Sequence, residues 1–110
     1  MEFFTFTETV GFEKKALKLI GDDEIGELQL YLCQFPERGA VIPHSNGIRK
    51  LRWAASGRGT RGGARVIYYF AVGKSRILLL DIYAKNEQDD LTFDELKDLK
   101  FIVEEWLLSK

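Results

Sequence analysis

Only one cysteine, Cys33, and one histidine, His44, occur in these 110 residues. A lone thiol excludes an internal disulfide and a cysteine-rich zinc site, and it fits a reducing compartment. A lone histidine excludes, within one protomer, the paired-histidine route to phosphodiester cleavage. His44 itself sits among Pro43, Asn46 and Gly47 and reads as a surface residue. No apolar run approaches the ~20 residues of a membrane-spanning helix. The opening MEFFTFTETV has neither a basic n-region nor a small-residue cleavage site. A cytoplasmic protein without membrane contact is expected. The most informative absence is local: between Arg38 and Leu80 there is no Asp or Glu, while nine Lys and Arg occur there.

The net charge of −1 hides that asymmetry, because all seventeen acids flank the basic middle. The distribution marks residues 38–80 as a candidate anion-binding face on an otherwise acidic body. A chain of this length, 45% hydrophobic and 30% charged, is one ordinary globular domain spanning 1–110. It is long enough to bury roughly two-thirds of its unfolded surface.

Glu2–Phe6, with Phe3, Phe4 and Phe6, reads as a short first strand. Thr7 or Thr9 caps a helix with Phe12, Ala16, Leu17 and Ile20 on one stripe. Gly21 ends it, and Asp22 or Asp23 is expected to cap a second helix. That helix carries Ile25, Leu28, Leu32 and Phe35 at helical spacing and stops at Pro36. Residues 36–47 are a turn-rich connection. Three strand-like runs follow, Ile48–Trp53, Ala64–Phe70 and Ile77–Tyr83, with a hairpin turn around Gly73 between the last two. Short connections between sequence-adjacent strands predict an antiparallel meander. Thr92-x-x-Glu95 is a capping box opening a final helix with Leu96, Leu99, Val103 and Trp106 inward. The reading is α+β: a small, mostly antiparallel sheet of about four strands, two N-terminal helices and one C-terminal helix.

The segment GIRKLRWAASGRGTRGGARVIYYF, residues 47–70, contains Arg49, Lys50, Arg52, Arg58, Arg61 and Arg65 and no acid. Strand alternation places Ile48, Lys50 and Arg52 on one face and Arg49, Leu51 and Trp53 on the other. Arg65, Ile67 and Tyr69 share a face opposite Val66, Tyr68 and Phe70. Two such strands joined by Gly- and Arg-rich chain form a device for holding phosphate, above all a nucleic-acid backbone. The glycines do not make a nucleotide-binding loop. No Gly-Lys-Ser/Thr follows them, and Gly57-x-Gly59-x-x-Gly62 opens onto a strand rather than a helix. Val66, Tyr68 and Phe70 read as core, whereas Tyr83, at a strand end beside Lys85, is the aromatic residue best placed to meet a base. Asp89, Asp90 and Asp94 stand where acids favour a helix N-terminus, so no metal site is assigned.

GIRKLRWA (47–54), GRGTRGGARVIYY (57–69) and ILLLDIYAKNEQDDLT (77–92) together resemble the RelE/ParE toxin superfamily, most closely its HigB-like ribonuclease branch. The order of elements is similar along nearly the whole chain. The resemblance implies a toxin of a type II toxin–antitoxin system. Such a toxin is a metal-independent mRNA interferase with no cofactor, cleaving messages in the ribosomal A site by attack of the 2′-hydroxyl on phosphate. It implies Arg65, Lys50, Arg52 and Lys85 as catalytic residues, with Arg65 stabilising the phosphorane. Arg49, Arg58, Arg61, Tyr83 and Asn86 would bind RNA or phosphate. The chain departs from RelE after the third strong strand, where arginines and a tyrosine give way to KNEQDD, so Glu87 and Lys85 both stand as the acid/base. Implied partners are mRNA, the ribosome with its 16S rRNA, and a HigA-like helix-turn-helix antitoxin that binds DNA. A ParE-like gyrase inhibitor and a non-catalytic RNA- or ribosome-binding module are the other readings of the same basic face.

Overall fold

The computed structural model of the chain describes residues 4–54 and 63–109. The elements are β1 (Thr5–Glu8), α1 (Val10–Leu19), α2 (Gly21–Gln34), β2 (Ala40–Val41), β3 (Ile48–Trp53), β4 (Ala64–Ala71), β5 (Arg76–Ala84) and α3 (Phe93–Leu108). The strands form one sheet in the order β1-β5-β4-β3-β2. β2 to β5 pair antiparallel, and β1 runs parallel to β5 at the far edge. The α+β class and the β3-β4-β5 meander are as expected, but the sheet has five strands rather than about four. The extra strand is β2, inside the stretch read as a connection. Two residues opposite Arg49 and Lys50 are too few to leave a periodic signature.

Thr9, not Thr7, caps α1: its hydroxyl accepts from the Phe12 amide at 3.0 Å and donates to the Leu80 carbonyl at 2.8 Å. One side chain thus starts the helix and fastens it to β5. The expected Asp22 or Asp23 cap does not form. Ile20 is the N-cap of α2, without a side-chain hydrogen bond, and Gly21 takes a φ of 83° that turns the chain directly from α1 into α2. Only glycine adopts that conformation without strain. The aspartates lie in the first turn, where they favour the positive end of the helix dipole. The Thr92–Glu95 capping box opens α3 as read. Among the described residues no helix is long and apolar enough to cross a membrane.

The sheet is covered on both faces. α1 and α2 place Phe12, Ala16, Ile25, Leu28 and Leu32 against Leu51, Val66, Tyr68, Ile77, Leu79 and Ile82. α3 places Leu99 and Val103 against Ile48, Ile67, Leu78, Leu80 and Tyr83. Trp106 holds the far end of that helix, under the Arg76 guanidinium at 4.2 Å and edge-on to Tyr69. Arg38 lies over the ring of Phe35 at 4.5 Å. Tyr68 donates to the Pro36 carbonyl at 2.8 Å and accepts from the Gly39 amide at 3.0 Å, so the chain entering β2 is tied to the core.

β5 contains the decisive irregularity. Its pairing with β4 shifts between Ile67 and Tyr68, opposite Asp81 and Leu79 respectively, so one residue of β5 is extra. Strict alternation from Ile77 would send Ile82 toward α3 and Tyr83 toward α1. With the bulge, Ile82 joins the core under α1 and α2, and Tyr83 joins the α3 face.

Candidate functional site

On the α3 face the cross-strand register sets the side chains in rows. Ile48, Tyr69 and Leu78 form the apolar row that α3 covers. Further along, Lys50 pairs with Ile67, and then Arg52 lies opposite Arg65, which lies opposite Tyr83. One face therefore passes from apolar under the helix to basic beyond it. This accounts for Ile48 sharing a face with two cations.

Arg52 is exposed, and Lys50 and Arg65 are half-buried. Among the described residues no carboxylate lies within ion-pair distance of Arg52 or Arg65. Arg65 makes one long hydrogen bond, 3.3 Å from Nη1 to the Ala64 carbonyl. Like charges directly opposite on adjacent strands are destabilising, and here two stand together without a counter-charge. Lys50 does have one: its Nζ is 3.2 Å from Oδ1 of Asp90. Burial alone would push the Asp90 carboxyl up. The Leu91 amide and the Lys50 ammonium outweigh it and hold Asp90 below the usual carboxylate value.

Tyr83 is 4% exposed, and its hydroxyl is the one buried side-chain polar atom without a hydrogen-bond partner among the described residues. Burial, then the negative charge of Asp90, pushes the phenol up to about 12, while Arg65 pulls the other way. The group is thus a neutral donor in the field of Arg65 and Asp90. Its ring is enclosed in the α3-side core and its hydroxyl is buried as well, so Tyr83 does not offer the stacking face expected of it.

The remaining residues singled out in the sequence disperse. Arg49 lies on the opposite face and donates to the carbonyls of Glu37 and Gly39 at 3.0 and 2.7 Å, bracing the approach to β2. Lys85 donates its amide to Gly63 and pairs through Nζ with Asp89 at 3.3 Å. Asn86 is exposed on the turn that follows β5. Glu87 donates its amide to the Ala84 carbonyl and lines a cleft beside Lys15 and Lys18 of α1. Arg58 and Arg61 lie outside the described residues. Asp81, Asp89 and Asp90 are engaged by Lys15, Lys85 and Lys50 respectively, and the described residues hold no cluster of three metal-ligating side chains.

Sequence reasoning missed Asp90, because an acid two residues before a capping threonine is sufficiently explained by the helix dipole. It also missed the bulge, for which ILLLDIY gives no glycine as a signal. The sequence was compared with models of known protein families, and none matches it. The site is therefore argued from its own geometry.

Proposed function

We propose that the Lys50–Arg52–Arg65–Tyr83 face holds the phosphate backbone of RNA, and that the protein is a metal-independent endoribonuclease of the RelE/HigB-like mRNA interferase kind. The observation that carries this reading is the Arg52–Arg65 cross-strand pair, which has no counter-ion among the described residues. A sheet that tolerates such a pair is arranged for an anion bound from outside.

The 2′-oxygen of the message attacks the adjacent phosphorus, the bond to the 5′-oxygen breaks, and a 2′,3′-cyclic phosphate remains. Negative charge grows on the non-bridging oxygens, where Arg65 and Arg52 meet it. Being permanently protonated, they stabilise charge rather than move protons. Preorganised donors of this kind are worth about 3 kcal/mol each. Tyr83, its hydroxyl buried beside the row, keeps a neutral phenol in the field of Arg65. Asp90, the carboxylate in contact with the row, receives the 2′-proton, and the Lys50 ammonium beside it protonates the departing 5′-oxygen. A carboxylate below its usual value is a weak base, so this assignment leans on positioning, as when the ribosome orients the message. Lys85, paired with Asp89, and Glu87, whose amide donates to the Ala84 carbonyl, hold the turn that delivers Asp90. The A-site message and 16S rRNA are the partners this reading requires, and a helix-turn-helix antitoxin would neutralise the protein by covering the basic row.

Primer extension on a defined message in a purified translation mixture tests the reading, with wild type beside Arg65→Ala and with EDTA present. The expected result is discrete cuts, resistant to EDTA and lost in the variant. Arrest of translation without cuts replaces the enzyme with a binder. Gyrase inhibition with translation intact replaces it with a ParE-like inhibitor.

A further inference from the structure

A cleft opens beside the same end of β5, on the α1 side. The β1 ladder ends with Glu8 opposite Leu79, whereas β5 continues to Ala84. The outer edge of residues 80–84 thus has no strand beside it. α1 closes it in part, through Thr9 on the Leu80 carbonyl and through the Lys15–Asp81 pair at 2.9 Å. What is left open is a cleft of ≈ 460 Å³, to which Lys15, Lys18 and Leu19 contribute from α1, Ile82 and Tyr83 from β5, and Glu87 from the following turn. A volume of this order accommodates a small polar ligand.

Three chemistries meet there. Lys18 has no acidic partner among the described residues, and Lys15 shares one. Leu19, half-buried, supplies apolar surface, and Glu87 supplies an exposed carboxylate. Cation, apolar surface and hydrogen-bond acceptor are what a nucleotide's phosphate, base face and base edge require. Tyr83 connects the two places, since it lies opposite Arg65 in the basic row and also lines the cleft. A strand of RNA held on the row reaches the cleft only by rounding the end of β5 at Tyr83.

We propose that the cleft is a nucleotide subsite beside the phosphate row, with Lys18 and Lys15 on phosphate, the base against Leu19, and Glu87 reading the base edge. The proposal rests on the RNA-binding reading above and adds a base preference to it. Guanine is the base that fits, because its N1–H and N2–H₂ point side by side at the two oxygens of one carboxylate. Adenine, cytosine and uracil present no such pair of adjacent donors.

The test uses fluorescence anisotropy with 2′-O-methyl pentanucleotides, which lack the attacking hydroxyl, as all-uridine and single-guanosine versions. Wild type should prefer the guanosine version by about fivefold or more, the range of a good bidentate base contact. Glu87→Gln should abolish that preference. Lys18→Ala, at an exposed helical position, should lower the slope of log K against log salt by about 0.7. Carried from 1 M to 0.15 M salt, that is about a fourfold loss of affinity. An ¹⁵N NMR titration with 5′-GMP should move the amides of Lys18, Leu19 and Ile82. If Arg52→Ala weakens the pentanucleotides while Lys18→Ala and Glu87→Gln change nothing, the subsite is wrong and the RNA-binding row stands. If none of the three matters, the row and the subsite both fall.

Discussion

Arg52→Thr should make this protein more stable and less functional. Arg52 and Arg65 are directly opposite on β3 and β4, with no acid of the described residues beside either. Like charges so placed cost up to roughly 1 kcal/mol. Arg52 is exposed, and solvent screening brings the expected gain on removing it to about 0.5 kcal/mol. For a domain of this size that corresponds to about 2–4 °C in Tm. Threonine is also a good strand former, so the substitution leaves β3 intact.

Urea unfolding followed by tryptophan fluorescence, at low salt and at ~0.5 M salt, measures the effect. At the higher concentration the screening length falls to roughly 4 Å, so the advantage of the variant should shrink. Arg52→Lys, which keeps the charge, should show no gain. Inorganic phosphate should raise the Tm of wild type more than that of Arg52→Thr, because a ligand that binds only the folded state stabilises it. A variant less stable than wild type at low salt, or a gain indifferent to salt, refutes the idea that unrelieved repulsion marks an anion site.

Tyr83→Phe removes a buried hydroxyl that has no partner among the described residues and should hold or raise stability, by up to about 1 kcal/mol. Because the Tyr83 phenol is pushed from 10.0 up to about 12 in the fold, the unfolded chain loses its proton first. Wild-type stability should therefore fall between those pH values, and the variant should lose that component in alkaline unfolding curves. Asp90→Asn frees Lys50 from its ion pair and should tighten binding of an uncleavable RNA while reducing cleavage; tighter binding with full cleavage would remove Asp90 from proton transfer. Since the Asp90 carboxyl is held low in the fold, its contribution to stability is present above the ordinary carboxylate value and lost as pH falls through the lowered one. Gly39→Ala would set a methyl 2.8 Å from Cε1 and 2.9 Å from the hydroxyl of Tyr68, and 3.1 Å from the Lys50 carbonyl. Thermal unfolding should show a loss of about 1–3 kcal/mol, the usual cost of overpacking.

The elements that announced themselves in the sequence are those whose signal is local. The capping box at Thr92, the stripe of Ile25, Leu28 and Leu32, and the turn at Gly73 each follow from a few neighbouring residues. The phosphate face was partly legible in the same way, since alternation alone puts Lys50 and Arg52 together and Arg49 on the reverse. Three things were not. The parallel pairing of β1 with β5 depends on where the chain returns after two helices. The two-residue β2 exists because β3 offers it an edge. Asp90 reaches Lys50 across forty residues of chain, a contact that charge spacing along the sequence does not encode.

The bulge opposite Ile67 and Tyr68 ties these failures to the function. A regular β5 would turn Ile82 out of the core under α1 and α2. It would also turn Tyr83 away from Arg65. With one extra residue, Asp81 receives Lys15 and the Ile82 amide at 2.9 Å each, and Tyr83 turns to the α3 face. Burial of Ile82 on one face and of Tyr83 on the other holds the irregularity in place, because a slip by one residue would exchange both. The hydrophobic core, not a local turn motif, thus fixes the register that sets Tyr83 opposite Arg65 at the end of the basic row.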